Sequence, residues 1–159
     1  MHGLVLSVSG TYTDIVTSVF SATIAAKAWF ATAAIVLAIV QVLSAARIYG
    51  RLAHVIPLPG KVVARFHRWS GRLAFLCTLP VAFHCIFILG FQSTDARVLL
   101  HSTLGTFVYG VFAVKMLFVK SRSYPGWLLP VAGGAMFTVL VGLWASSSLW
   151  YFTEIRFGF

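Results

Sequence analysis

Two of the five histidines stand where an imidazole is costly. His84 lies inside the apolar run LPVAFHCIFILGF, residues 79–91, and His101 lies just inside the next one. Ionisable side chains within a membrane span are expensive, so each is by default a candidate for function. One such histidine is adequately explained by a hydrogen bond to a neighbouring helix, a gain of about 0.6–2 kcal/mol. Two at the same depth ask for more. His84 precedes the end of its run by seven residues, about 10 Å of helix. His101 follows the start of the next by four, about 6 Å. On adjacent antiparallel helices the two imidazoles reach similar depth. That suits a flat iron porphyrin held edge-on, with one axial nitrogen from each side.

The neighbours fit the same reading. Arg97, His101, Gly105 and Tyr109 recur every four residues and therefore share one helix face. Gly105 leaves room for a porphyrin to approach, and Arg97 offers a cation to its propionate. Pro80, one turn before His84, removes a backbone donor and is expected to kink the helix. A zinc site from His84, His101 and Cys85 is a poorer fit, because adjacent residues on a helix point about 100° apart. Cys77 and Cys85 lie about 12 Å apart along one helix, too far for a disulfide, and read as small packing residues. His2 is given no role.

His67 raises the question of a second haem. FHRWSGR repeats the H-x-x-x-G spacing of HSTLG, here as His67 and Gly71. The matching end of the following span carries Lys115 and Met116 in place of a histidine, so His54 or Met116 is the alternative partner. Seventeen residues separate His67 from His84, which leaves them roughly 100° apart on an ideal helix. One haem is expected, and a second would rest on His67.

The elements that must position these residues follow from composition. The 159 residues are 60% hydrophobic and 9% charged, where a soluble domain carries about 25% charged residues. Four stretches reach the roughly 20 apolar residues a bilayer span needs: 29–50, 69–91, 97–119 and 127–152. Short links (QSTDA, SRSYPG) predict antiparallel neighbours. The expected fold is all-α, a single integral-membrane four-helix bundle over residues 1–159. Trp29, Trp69, Trp127 and Trp150 lie near span ends, as interfacial aromatics do, and Trp144 is expected to pack inside. Residues 13–26 are expected either to form a short helix on the outer interface or to extend the first span. The N-terminal stretch lacks the basic start and apolar core of a cleaved signal peptide.

Nine of the twelve cations (Arg47, Arg51, Lys61, Arg65, Arg68, Arg72, Lys115, Lys120 and Arg122) fall on one side. The positive-inside rule makes that side cytoplasmic and puts both termini outside. Lys27, Arg97 and Arg156 share the other side with Asp14, Asp95 and Glu154. The net charge of +9 is thus a topology signal, helped by anionic lipid, and implies no nucleic-acid partner. With no acidic residue inside any span, ion-coupled transport has little to work with.

At residues 65–119 the chain resembles the ferric-reductase-like and related b-type membrane cytochromes. The closest stretch is FHRWSGRLAF, which is similar to the His-Arg-Trp-x-Gly-Arg opening of a haem-binding helix; HS at 101 and 102 is the second point of likeness. The resemblance implies paired histidines holding one or two b haems, with His84 and His101 as the outer pair and His67 as the first of an inner pair. The spacing of His67 and His84 and the absence of a fourth histidine depart from that pattern. The implied protein is an electron-carrying membrane subunit of a larger oxidoreductase in a bacterial plasma membrane. Bis-histidine iron has no open position and favours electron transfer over substrate activation. A membrane quinol is the expected donor, an outer-side redox protein the expected acceptor, and other subunits the expected partners. Arg68, Arg72, Tyr109 and Lys115 read first as boundary or packing residues and second as the border of a quinone site. The alternative is a haem-free structural or assembly subunit, for which the small-residue patches AGGA (132–135) and ASSS (145–148) would provide close helix contacts.

Overall fold

A computed structural model describes residues 2–121 and 123–156, with side chains from Gly10 to Ile155. Arg122 and the side chains of His2 and Arg156 lie outside the described residues. The chain is all-α: α1 (His2–Thr17), α2 (Thr23–Ile48), α3 (Gly60–Phe83), α4 (Ala96–Lys120) and α5 (Leu128–Trp144). Six residues of π-helix, His84–Leu89, continue α3, and two further π segments, Ala145–Leu149 and Tyr151–Arg156, continue α5. Four of these rods are long and apolar enough to cross a membrane: Thr23–Ile48, Gly60–Leu89, Ala96–Lys120 and Leu128–Ile155.

Local chemistry sets the ends. Gly50 and Gly90, at φ +81° and +69°, follow the last turns of α2 and the α3 rod, where a left-handed residue stops a helix and glycine adopts it freely. Asp95 caps α4, its Oδ1 accepting from Val98 N at 2.9 Å, which satisfies one of the unpaired first-turn donors. Arg47 donates to the carbonyls of Ile56 (2.7 Å) and Leu58 (3.0 Å), tying the α2–α3 connection back onto α2.

The helices pack in the order α3–α2–α5–α4. α2 is the central rod. Its buried face is Ala34, Ile35, Ala38 and Ser44, against Val63, Ser70 and Ala74 of α3, and such small residues let two backbones approach closely. Gln41 sits in that seam, donating to the His67 carbonyl and to Ser70 Oγ at 2.7 Å. A Cβ at Gly71 would meet Gln41 Oε1 at 3.0 Å, so the glycine is what admits the amide. Trp144 turns inward and its indole N–H donates to Thr32 Oγ1 at 3.0 Å, joining α5 to α2. Large apolar side chains such as Ile39, Leu43, Leu76 and Leu117 point outward, the arrangement lipid contact asks for.

Sequence neighbours α3 and α4 are not close-packed. They meet through side chains: Phe75 stacks on Phe112 at 4.6 Å and lies edge-on to Tyr109 at 6.0 Å, and the Tyr109 hydroxyl donates to Thr78 Oγ1 at 3.1 Å. Aromatic rings hold the two rods apart at mid-height. α1 returns over the end that carries the α3–α4 link, where Tyr12 packs on Phe83 (5.5 Å) and His84 (5.4 Å).

Candidate functional site

His84 ends the α-helical part of α3, and its own N–H bonds to the carbonyls of Pro80 and Val81. Pro80 has no N–H to give the preceding turn, and the π-turn begins directly after this break. Single π-turns inside helices are frequent at functional sites. The imidazole is 6% exposed, and its Nδ1 is buried without a hydrogen-bond partner. Leaving such a group unsatisfied costs about 1–3 kcal/mol.

His101, half-buried on α4, is held differently. Its Nδ1 lies 3.0 Å from Ser146 Oγ. That hydroxyl already gives its one proton to the Gly142 carbonyl at 2.7 Å, so it accepts from Nδ1–H. The tautomer is thereby fixed, and the lone pair is left on Nε2, the arrangement of a metal-binding histidine with a supporting partner. Ser148, 1% exposed, lies two residues on from Ser146 in the same π segment, and its hydroxyl too is buried without a partner.

The two histidines share one cation. The Lys27 ammonium, half-buried on α2, is within electrostatic reach of His84, Cys85 and His101. Among the described residues no hydrogen bond or ion pair holds it. Asp14, Asp95 and Glu154 are all exposed. Tyr12, on α1 beside His84, completes the surround; burial, with a smaller contribution from the Cys85 thiol, pushes its phenol above the ordinary value and keeps it neutral.

The expected neighbours of His101 are placed otherwise than the spacing implied. The Arg97 guanidinium is already engaged, donating to the Ser146 carbonyl at 2.8 Å and lying 4.2 Å over the Trp150 ring; the Asp95 carboxylate is 4.0 Å away. A side chain at Gly105 would first meet Leu143 of α5, at 3.9 Å, so the space it leaves is toward α5 and not toward α3. Tyr109 alone of that face reaches α3. Sequence reasoning missed Lys27, Ser146 and Ser148. The serines stood in plain view as three successive hydroxyls in an apolar span.

His67 lies near the opposite end of α3, facing Ser44 of α2 and Lys115 of α4. His54 is exposed in the α2–α3 connection, and Met116 is 37% exposed. Neither makes a contact with His67 among those found in the described residues.

One family, described as "Family of unknown function (DUF6529)", matches residues 5–159. The chain belongs to this family. No curated protein and no solved structure matches the chain. The matched residues span all four long helices.

No group of three or more His, Cys, Asp or Glu able to hold a metal ion occurs among the described residues, which disfavours a zinc-type centre. A porphyrin supplies four of the iron's ligands itself and asks the protein for two. His84 with an orphaned nitrogen, His101 with its Nε2 lone pair free of the Ser146 bond, an ammonium within electrostatic reach of both and two loosely packed rods would suit that request. Removal of the supporting hydroxyl gives a direct check. Ser146→Ala is expected to weaken haem retention about 10–100-fold, the usual cost of losing a histidine's hydrogen-bonded support, read as the rate of haem transfer to an excess of apomyoglobin.

Proposed function

We propose that the protein is a b-type membrane cytochrome, holding one haem near the α3–α4 end between His84 and His101 and passing electrons to partner subunits of a quinol-linked oxidoreductase. The observation that carries this reading is the pair of imidazoles on two different rods around Lys27, one of them with its Nδ1–H already committed to Ser146. The resemblance of residues 65–119 to ferric-reductase-like cytochromes points the same way.

When bound, the iron would supply one-electron chemistry. The chain's own work would be to hold the iron with the His84 and His101 imidazoles, to exclude water with Tyr12 and the buried stretch around Ser148, and to set the local charge. Among the described residues Lys27 is an uncommitted cation for a propionate, where Arg97 is engaged. With the basic α2–α3 and α4–α5 links on the cytoplasmic side, this haem lies toward the outer face of a bacterial plasma membrane and both termini are outside.

The test is a dithionite-reduced minus oxidised spectrum of the purified protein, with haem quantified against protein. Sharp b-type bands at a ratio near one are expected. A flat spectrum from cells supplied with ample haem would overturn the reading. It would favour the haem-free structural subunit, for which the apolar groove between α4 and α5, floored by Gly110, Ala132 and Ala135, is the docking surface.

A further inference from the structure

The end of the bundle away from His84 and His101 carries a second polar centre that a single haem does not use. His67 stands about 10 Å into α3 from Gly60, and Lys115 about 8 Å back along α4 from Lys120, so the two lie at similar depth. Their charges are within electrostatic reach.

The orienting device at His101 is repeated here. His67 Nδ1 lies 2.8 Å from Ser44 Oγ, and that hydroxyl gives its proton to the Val40 carbonyl at 2.6 Å. Nδ1 therefore carries the proton and donates it, and Nε2 is left with its lone pair. Gln41 and Ser70 lock the backbone behind the ring. Neither His67 Nε2 nor the half-buried Lys115 ammonium takes a hydrogen bond or ion pair among the described residues. An acceptor and a donor are thus presented across a seam where α3 and α4 do not close-pack. The stacked Phe75 and Phe112 rings lie directly deeper in the same seam, and Leu73 and Leu117 are exposed beside it.

The ligand must offer a proton to Nε2, an acceptor to Lys115 and an apolar ring to the phenylalanines, and it must arrive through lipid. A lipid phosphate satisfies Lys115 but sets an acceptor against an acceptor at His67. A simple metal ion would find two ligands only. We propose that this seam binds the head group of a membrane quinol. One ring oxygen accepts from Lys115, and the quinol hydroxyl at the other donates to His67 Nε2. The proposal rests on the quinol-linked part of the proposed function and places its quinol at the end away from the haem.

The experiment is photolabelling of the purified full chain with a short-tailed azido-ubiquinol, mapped by mass spectrometry, in the presence and absence of excess unlabelled ubiquinol. Labelling is expected within Val63–Ala74 or Val111–Lys120, suppressed by the competitor, and reduced at least tenfold in Lys115→Met but retained in Lys115→Arg. His67→Gln is expected to weaken the quinol form more than the quinone form in competition. Labelling that the competitor leaves unchanged, or that Lys115→Met leaves at the wild-type level, overturns the site. A haem-to-protein ratio near two that falls to one in His67→Gln also overturns it, by putting a porphyrin in the seam. Loss of haem at the far end with labelling intact leaves it standing.

Discussion

If the proposed haem is bound, replacing His101 with alanine is expected to abolish the b-type reduced-minus-oxidised bands, replacing His84 to do the same, and His54→Ala to leave them unchanged. The loss is expected to be complete because these two side chains would hold the iron between them and no other imidazole among the described residues would be in place to substitute. His101 is fixed by Ser146, and His84 is closed in by Tyr12 and Phe83; no third ring is packed to replace either. His67→Ala should keep the bands at the same haem-to-protein ratio, since His67 faces Ser44 at the other end. A general folding defect is separated from ligand loss by adding imidazole to His101→Gly, which should restore the bands in a protein that still elutes as a single species. Full haem retention in both ligand variants would sink the assignment.

The second large effect is expected at Lys27. An ammonium half-buried in a low-dielectric surround is costly unless paired, and the described residues provide no carboxylate for it. A propionate would. A hydrogen bond to a charged group contributes about 1.5–3 kcal/mol, or roughly ten- to a hundredfold in affinity. Lys27→Gln should therefore release haem to apomyoglobin faster by about that factor. It should also lower the midpoint potential, because the lost positive charge had favoured the reduced iron. Arg97→Gln should do much less, since that guanidinium is spent on the Ser146 carbonyl and the Trp150 ring. Equal effects of the two substitutions would mean that Arg97 leaves those partners and shares the propionate, contrary to the assignment of Lys27 alone.

Both predictions depend on residues that differ in how visible they were from the sequence. The four apolar rods were legible because lipid imposes one requirement on every residue of a span. Their bounds were less so. α3 starts at Gly60, well before the expected 69, because hydropathy reads lipid depth while the basic turn KVVARFHR is helix outside it. α2 likewise begins at Thr23 and not at 29. Of the two readings of 13–26, extension of the first span holds from Thr23 on, while 13–17 close α1 and a turn lies between. Spacing put His84 and His101 at the same end of the bundle because depth along a rod is a count of residues. It failed for Gly105 and Arg97, whose partners Leu143 and Ser146 are set by how far α4 is rotated about its axis. Spacing within one helix cannot supply that rotation. Ser146 is 45 residues from His101 in the chain, and Lys27 read as a topology cation because nothing local distinguishes a buried lysine from an interfacial one.

The placement of the tryptophans has a practical consequence. Trp29 and Trp150 stand at the end of His84 and His101, Trp69 and Trp127 at the other, and Trp144 is tucked inward against Thr32. Porphyrins quench indole emission by energy transfer that falls steeply with separation. The chain thus carries its own optical ruler, graduated along the membrane normal. Comparing the haem-loaded and haem-free emission of single-tryptophan versions would report at which end the chromophore sits, with no label attached and no ligand disturbed.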